Sequence, residues 1–165
     1  MLFRSLWWPI LNLIILTVRP GRKGKDYDSI WNKELNESPL KTISRSQAEK
    51  LAGKLSMMDD RIIVDWGMRY GNPSTPERIR ALQAEGCDRI LLVPLYPQFA
   101  NATTGSTVDH FRALANRAGF RGRTSVFPAF PRANFFTKPL AETIRPLLQP
   151  GSHLLLTFHG LPVKR

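Results

Sequence analysis

The run Leu154-Leu155-Leu156-Thr157-Phe158, cut off by His159-Gly160-Leu161-Pro162, constrains the fold more than any other stretch of the chain. A short segment apolar on both faces of an extended backbone needs cover on both sides, which is the situation of a strand inside a parallel sheet clad by helices. Gly160 and Pro162 then turn the chain where that strand ends. His159 is thereby expected at a strand's carboxyl end, the edge where open α/β sheets bind ligands. A neutral imidazole there serves as a metal ligand or a proton acceptor. A hydrogen-bonded structural histidine is the other reading of the same position, and the run by itself leaves both open.

Similar segments recur along the chain. Arg89–Tyr96 is the strongest strand pattern, Arg61–Tyr70 is a β-branched run broken at Gly71-Asn72-Pro73, and Thr124–Phe130 reads as another strand. Between them lie helix patterns. Ser44 with Gln47 three residues later forms a capping box that opens a helix to Leu55. Pro76–Gly86, Val108–Ala118 and Asn134–Leu148 supply three more, the first released at Gly86. Strand and helix alternating at crossover spacing predict one α/β domain over residues 1–165, built on a doubly wound, mainly parallel sheet. Arg69 and Tyr70 close their strand and reach the same carboxyl edge as His159 if the strands are parallel, with Tyr70 as a packing residue the alternative. The loop from Pro97 to Thr107 offers hydroxyls and amides to an anion at a helix start, but no glycine-rich nucleotide fingerprint accompanies it.

Composition narrows the partners. A net charge of +11 draws polyanions and carboxylate-bearing ligands. No zinc-finger spacing, basic heptad helix or aromatic RNA-binding signature is present, so no nucleic-acid partner is expected. The one cysteine, Cys87, excludes an internal disulfide framework and a four-thiolate cluster supplied by this chain alone. Residues 1–20 hold the apolar run Leu6–Val18, closed by Arg19-Pro20-Gly21-Arg22-Lys23. It is short of the about 20 apolar residues that span a bilayer and lacks the small residues of a signal-peptide cleavage site. Two readings remain: a lid that touches the membrane surface with its tryptophans at the water boundary, or a core segment.

Three words in the sequence resemble those of one known family. Thr157-Phe158-His159-Gly160-Leu161-Pro162 resembles the Ser-x-His-x-(Leu/Ile)-Pro motif of ferrochelatases. Leu92-Val93-Pro94-Leu95-Tyr96-Pro97-Gln98-Phe99 with Thr103-Thr104-Gly105-Ser106 resembles their long central motif, and Gly67-Met68-Arg69-Tyr70-Gly71-Asn72-Pro73 resembles another. The resemblance implies a lyase that inserts ferrous iron into protoporphyrin IX, giving protohaem at the end of haem biosynthesis. It implies a chain formed of two flavodoxin-like halves facing a cleft. This segment would supply most of the first half, with an opening strand and an Asn-Leu-Gly-x-Pro loop expected ahead of Met1 and a second half beyond Arg165.

On matching positions the resemblance implies that Arg19, Tyr27 and Ser38 contact the porphyrin, that Arg69 and Tyr70 line the cleft, and that His159 is the catalytic group and iron ligand. Arg19 and Tyr27 keep the family spacing, whereas Asn32–Glu37 is inserted before Ser38. A guanidinium grips a propionate with two parallel hydrogen bonds, and a hydroxyl adds a directed third. A solvated basic loop is the plainer account of Arg19–Tyr27. The glutamate that faces His159 in the family lies on the second half, so activity of this segment alone is not expected. No cofactor is implied, ferrous iron being substrate, and no iron–sulfur cluster is supported here. The expected location is cytoplasmic, peripheral at the inner membrane through residues 1–20. The rivals are a porphyrin- or anion-binding module without chemistry and a membrane-surface protein.

Overall fold

The computed structural model describes residues 11, 12, 16–158 and 160, leaving out the side chains of 16–20, 22 and 23. The chain forms two compact units, Met1–Met68 and Arg69–Arg165. In the first, helix α1 spans Leu16–Ile30 and helix α2 spans Pro39–Ser56. The basic stretch Arg19–Tyr27, for which a solvated loop is the plainer account from sequence, lies in this helix despite its Pro20, Gly21 and Gly24. Breakers are weak priors that a continuing ladder on either side overrides.

Helix α2 begins six residues before the expected capping box. Ser38 holds an extended backbone (φ −69°, ψ 148°), its Oγ accepts the Lys41 amide at 3.3 Å, and Pro39 follows at the first helical position. That combination satisfies an orphan amide and pre-sets φ, so it starts the helix and leaves Ser44 inside it. Between the helices Asn32 and Glu37 exchange backbone hydrogen bonds across an isolated antiparallel bridge, at 2.9 and 3.2 Å.

The second unit is built on a strand–helix–strand unit. Strand β1, Arg89–Leu92, lies parallel to β2, Arg123–Val126, in the register Arg89 with Arg123 through Leu92 with Val126. Helix α3, Thr75–Ala84, precedes β1, and helix α4, Ser106–Arg117, makes the crossover. Ile79 of α3, Ile90 of β1 and Phe111 and Ala115 of α4 are buried together, with Leu82, Leu92, Leu114, Ala118 and Phe120 packed around them. Helix α5, Asn134–Ile144, follows and passes into a short 3-10 turn at Arg145–Leu147, so the helix expected to Leu148 ends earlier. Phe127, Phe130, Phe135 and Phe136 meet edge-on or tilted, with ring centroids 5.4–6.4 Å apart.

Both helices that flank β1 end on a left-handed glycine. Gly86 has φ +84° and Gly119 φ +71°. The Cys87 amide donates to the Leu82 carbonyl and the Gly86 amide to that of Gln83, at 3.0 and 3.1 Å; Phe120 and Gly119 repeat this on Ala115 and Asn116. These paired bonds absorb the last free carbonyls of each helix and turn the chain into the strand.

The architecture is thus α/β with a parallel pair of strands, as expected, but two predicted strands are not strands. Residues 62–67 run without a ladder, with Ile62 and Ile63 about two-fifths exposed. Residues 153–158 are irregular and open, Leu155 being 84% and Phe158 78% exposed. Apolar sequence makes a segment able to be a strand, but pairing makes it one, and among the described residues the sheet pairs only β1 with β2.

Candidate active site

The carboxyl edge of the parallel pair is where the second unit gathers its polar groups. Beyond β1 the chain runs through Pro94 and Pro97 into a π-helical turn, Asn101–Gly105, and then directly into α4. The loop after β2 is tied to the one after β1 by the Phe130 amide, which donates to the Pro97 carbonyl at 2.9 Å.

Arg69 reaches the first turn of α4 at this edge. Its Nη1 donates to Ser106 Oγ at 2.9 Å, across 37 residues of sequence. Ser106 Oγ in turn donates to the Ala102 carbonyl at 2.9 Å, with that of Thr103 at 3.1 Å. The guanidinium carbon stands 5.5 Å from the centroid of the Tyr70 ring, within cation–π range. Tyr70 itself is 80% exposed.

The small-residue loop is not the anion cradle its composition suggested. Thr104 is buried and its hydroxyl donates to the Gln98 carbonyl at 3.5 Å, while that of Thr103 donates to Ala100 at 3.4 Å. These hydroxyls close their own turn. Ser106 is the residue that sequence reasoning passed over: it lies in the central motif, but nothing local in the sequence marks it as a partner of Arg69.

In the first unit Tyr27 lies exposed on α1, and Ser38 caps α2. The cap uses a lone pair of the Ser38 hydroxyl and leaves its proton available for donation. Arg19 lies within α1, but its side chain is outside the described residues. His159 is also outside them. Among the described residues no three His, Cys, Asp or Glu side chains converge as a metal site, and no helix is long and apolar enough to cross a membrane. His110 and Asp109 are exposed on α4, and Cys87 is half-buried behind Gly86.

Near Ser38 the inserted residues conceal a charged cluster. Glu37 is buried, accepts from both Arg45 Nη2 and the Thr42 hydroxyl, and has Lys41 Nζ at 3.5 Å. Burial pushes its carboxyl up, but the Thr42 and Arg45 hydrogen bonds and the charges of Arg45 and Lys41 together hold it below the ordinary glutamate value. Arg45 also lies over the Trp66 ring, 5.9 Å from its centroid.

Comparison with known proteins agrees with the words read in the sequence. The family model described as Ferrochelatase matches residues 1–165. A ferrochelatase of Methylocella silvestris is 45% identical over 167 residues, which is 96% of this chain and 48% of the relative. One of Bradyrhizobium sp. is 47% identical over 163 residues, 95% of this chain and 46% of the relative. One of Rhodopseudomonas palustris is 45% identical over 166 residues, 96% and 47% respectively. No solved structure matches. The chain spans about half the length of the curated relatives it matches. A match that runs from Met1 to Arg165, with relatives of this identity, means that the chain belongs to the ferrochelatase family.

Proposed function

We propose that this chain forms one wall of an enzyme that inserts ferrous iron into protoporphyrin IX, yielding protohaem. What supports the reading most is that the family match covers every residue of the chain, including each of the three words that carry chemistry. Inserting iron requires that pyrrole lone pairs turn out of the ring plane and that two pyrrole protons leave as the metal enters. His159, in the neutral form, delivers iron and accepts a proton. Arg19 grips a propionate, with Tyr27 and the remaining hydroxyl proton of Ser38 as directed partners, and Arg69 and Tyr70 line the wall of the ring's cleft. The sheet is completed as a doubly wound one by strands that flank β1 and β2. The enzyme works in the cytoplasm, touching the inner membrane through residues 1–20 so that an apolar substrate enters from the lipid surface.

The test is anaerobic absorption spectroscopy of protoporphyrin IX and ferrous iron with a chimera in which this segment replaces the stretch it matches in the Methylocella silvestris relative. Haem formation is expected. His159→Ala is expected to abolish turnover while porphyrin still quenches and shifts on binding, because the imidazole acts on iron and pyrrole protons and adds little grip on the ring. A folded His159→Ala protein that metallates protoporphyrin at the normal rate refutes the catalytic role. A porphyrin band that shifts but never converts in the wild type points to a binding module instead.

A further inference from the structure

We infer that Ser106 is a positioning residue for porphyrin recognition, holding the Arg69 guanidinium toward a propionate. The inference rests on the reading above in which Arg69 lines the porphyrin cleft. Three observations carry it. Arg69 is exposed, and an exposed arginine samples many rotamers and loses side-chain entropy when fixed. Here it is held before any ligand arrives, by the 2.9 Å bond to Ser106 on one side and the Tyr70 ring on the other. Ser106 is itself oriented, because its single proton goes to the carbonyls of Ala102 and Thr103, which turns an oxygen lone pair toward Arg69. A guanidinium has five N–H donors, so the bond through Nη1 leaves the others free to grip a carboxylate. The π-helical turn has a use in this arrangement: it delivers Ser106 and its two carbonyl acceptors together at the first turn of α4.

The ligand class follows from the donor set. A fixed planar fork beside an exposed aromatic ring suits a carboxylate carried on a flat hydrophobic body, which describes a porphyrin propionate better than a free phosphate. The experiment is fluorescence titration of a chimera, in which this segment replaces the stretch it matches in the Methylocella silvestris relative, with mesoporphyrin IX and, in parallel, with octaethylporphyrin, which has no propionates. Ser106→Ala is expected to raise the apparent Kd for mesoporphyrin about threefold to tenfold, the effect of losing one organising hydrogen bond. It should leave octaethylporphyrin binding and the thermal midpoint unchanged, and Ser106→Thr, which keeps the hydroxyl, should restore mesoporphyrin binding. In an Arg69→Ala background Ser106→Ala should add nothing.

The outcomes separate the two claims. If Arg69→Ala weakens mesoporphyrin binding and Ser106→Ala does not, positioning by Ser106 is wrong and the Arg69 reading stands. If neither variant matters, or the unsubstituted chimera binds no porphyrin, the Arg69 reading fails and this inference with it. Equal losses for both porphyrins, or a lowered midpoint without rescue by threonine, assign Ser106 a purely structural role. Independently of any porphyrin, side-chain ¹⁵N relaxation should show Arg69 restrained in the unsubstituted chimera and freed by Ser106→Ala. Equal mobility in both overturns the inference.

Discussion

Glu37 is the residue whose environment makes the plainest solution prediction. Its carboxylate is buried against Arg45, Thr42 and Lys41, and those partners favour the charged form beyond what burial takes away. A folded-state value below the unfolded one means stability that is fully present above the ordinary glutamate range and lost as pH falls through the lowered value. Glu37→Gln should therefore destabilise the protein at neutral pH and flatten its acid loss of stability, measured as thermal midpoint against pH. Parallel acid slopes for the two proteins would show that the cluster contributes nothing to folding. Nothing in the sequence placed this glutamate: Asn32–Glu37 read as a polar insertion, and a cluster made by Arg45, eight residues on, is visible only once α2 begins at Pro39. Ser38 shows the same limit from the other side. The resemblance implies that it contacts the porphyrin, while the capping box at Ser44 and Gln47 hides its local job, because Ser38 caps α2 with Pro39 and without a reciprocal side chain.

Among the elements, the β1–β2 pair is the one on which the carboxyl edge depends, and Gly122 controls how closely it can form. A Cβ added there would stand 2.2 Å from the Asp88 carbonyl oxygen and 2.6 Å from Phe120 Cζ. The ring can move, but the carbonyl cannot, since it accepts the Arg123 amide at 2.8 Å and sets the first rung of the ladder. Gly122→Ala is expected to cost at least the roughly 1–3 kcal/mol of ordinary overpacking, read from the urea midpoint. Gly86→Ala meets no atom within 4 Å and suffers only the strain of its φ of +84°, so it should cost about 1 kcal/mol. Equal midpoints for wild type and Gly122→Ala would mean that the strands separate without consequence. The stop at Gly86 was legible because a left-handed residue is a local requirement, and Gly119 repeats it. The strands were legible only where a neighbour exists: Arg89–Leu92 pairs, whereas 62–67 and 153–158, no less apolar, do not. Helix α1 was missed because Pro20 and Gly21 are local signals that the surrounding ladder outvotes.

At the scale of the molecule, the alternation of apolar runs and helices made the α/β class readable, while the amount of apolar surface left open was not. Ile79, Ile90, Phe111 and Ala115 form the buried apolar core among the described residues. Against it stand Met57 and Met58 on one unit and Leu147, Leu155 and Phe158 on the other, all more than three-quarters exposed. Fixing each residue's backbone costs about 1–2 kcal/mol, so so small a core leaves little net stability, and the uncovered leucines and unpaired edges invite association. The 165-residue chain by itself is expected to bind a hydrophobic dye, to unfold over a broad range and to elute as aggregates at micromolar concentration. A sharp, reversible transition of a monomer would contradict this. The same chain is expected to form no haem from protoporphyrin IX and ferrous iron. Distorting the macrocycle needs two facing walls, and an imidazole that takes up one proton leaves the second without an acceptor unless a carboxylate stands opposite. Placing the segment in the stretch it matches in a relative should restore both properties together, a cooperative transition and turnover, if the rest of that chain supplies both the cover for the exposed leucines and the second proton acceptor. Haem formation by the purified segment would show that one wall suffices, and a completed chain that unfolds sharply yet stays inactive would place the missing chemistry elsewhere than across the cleft.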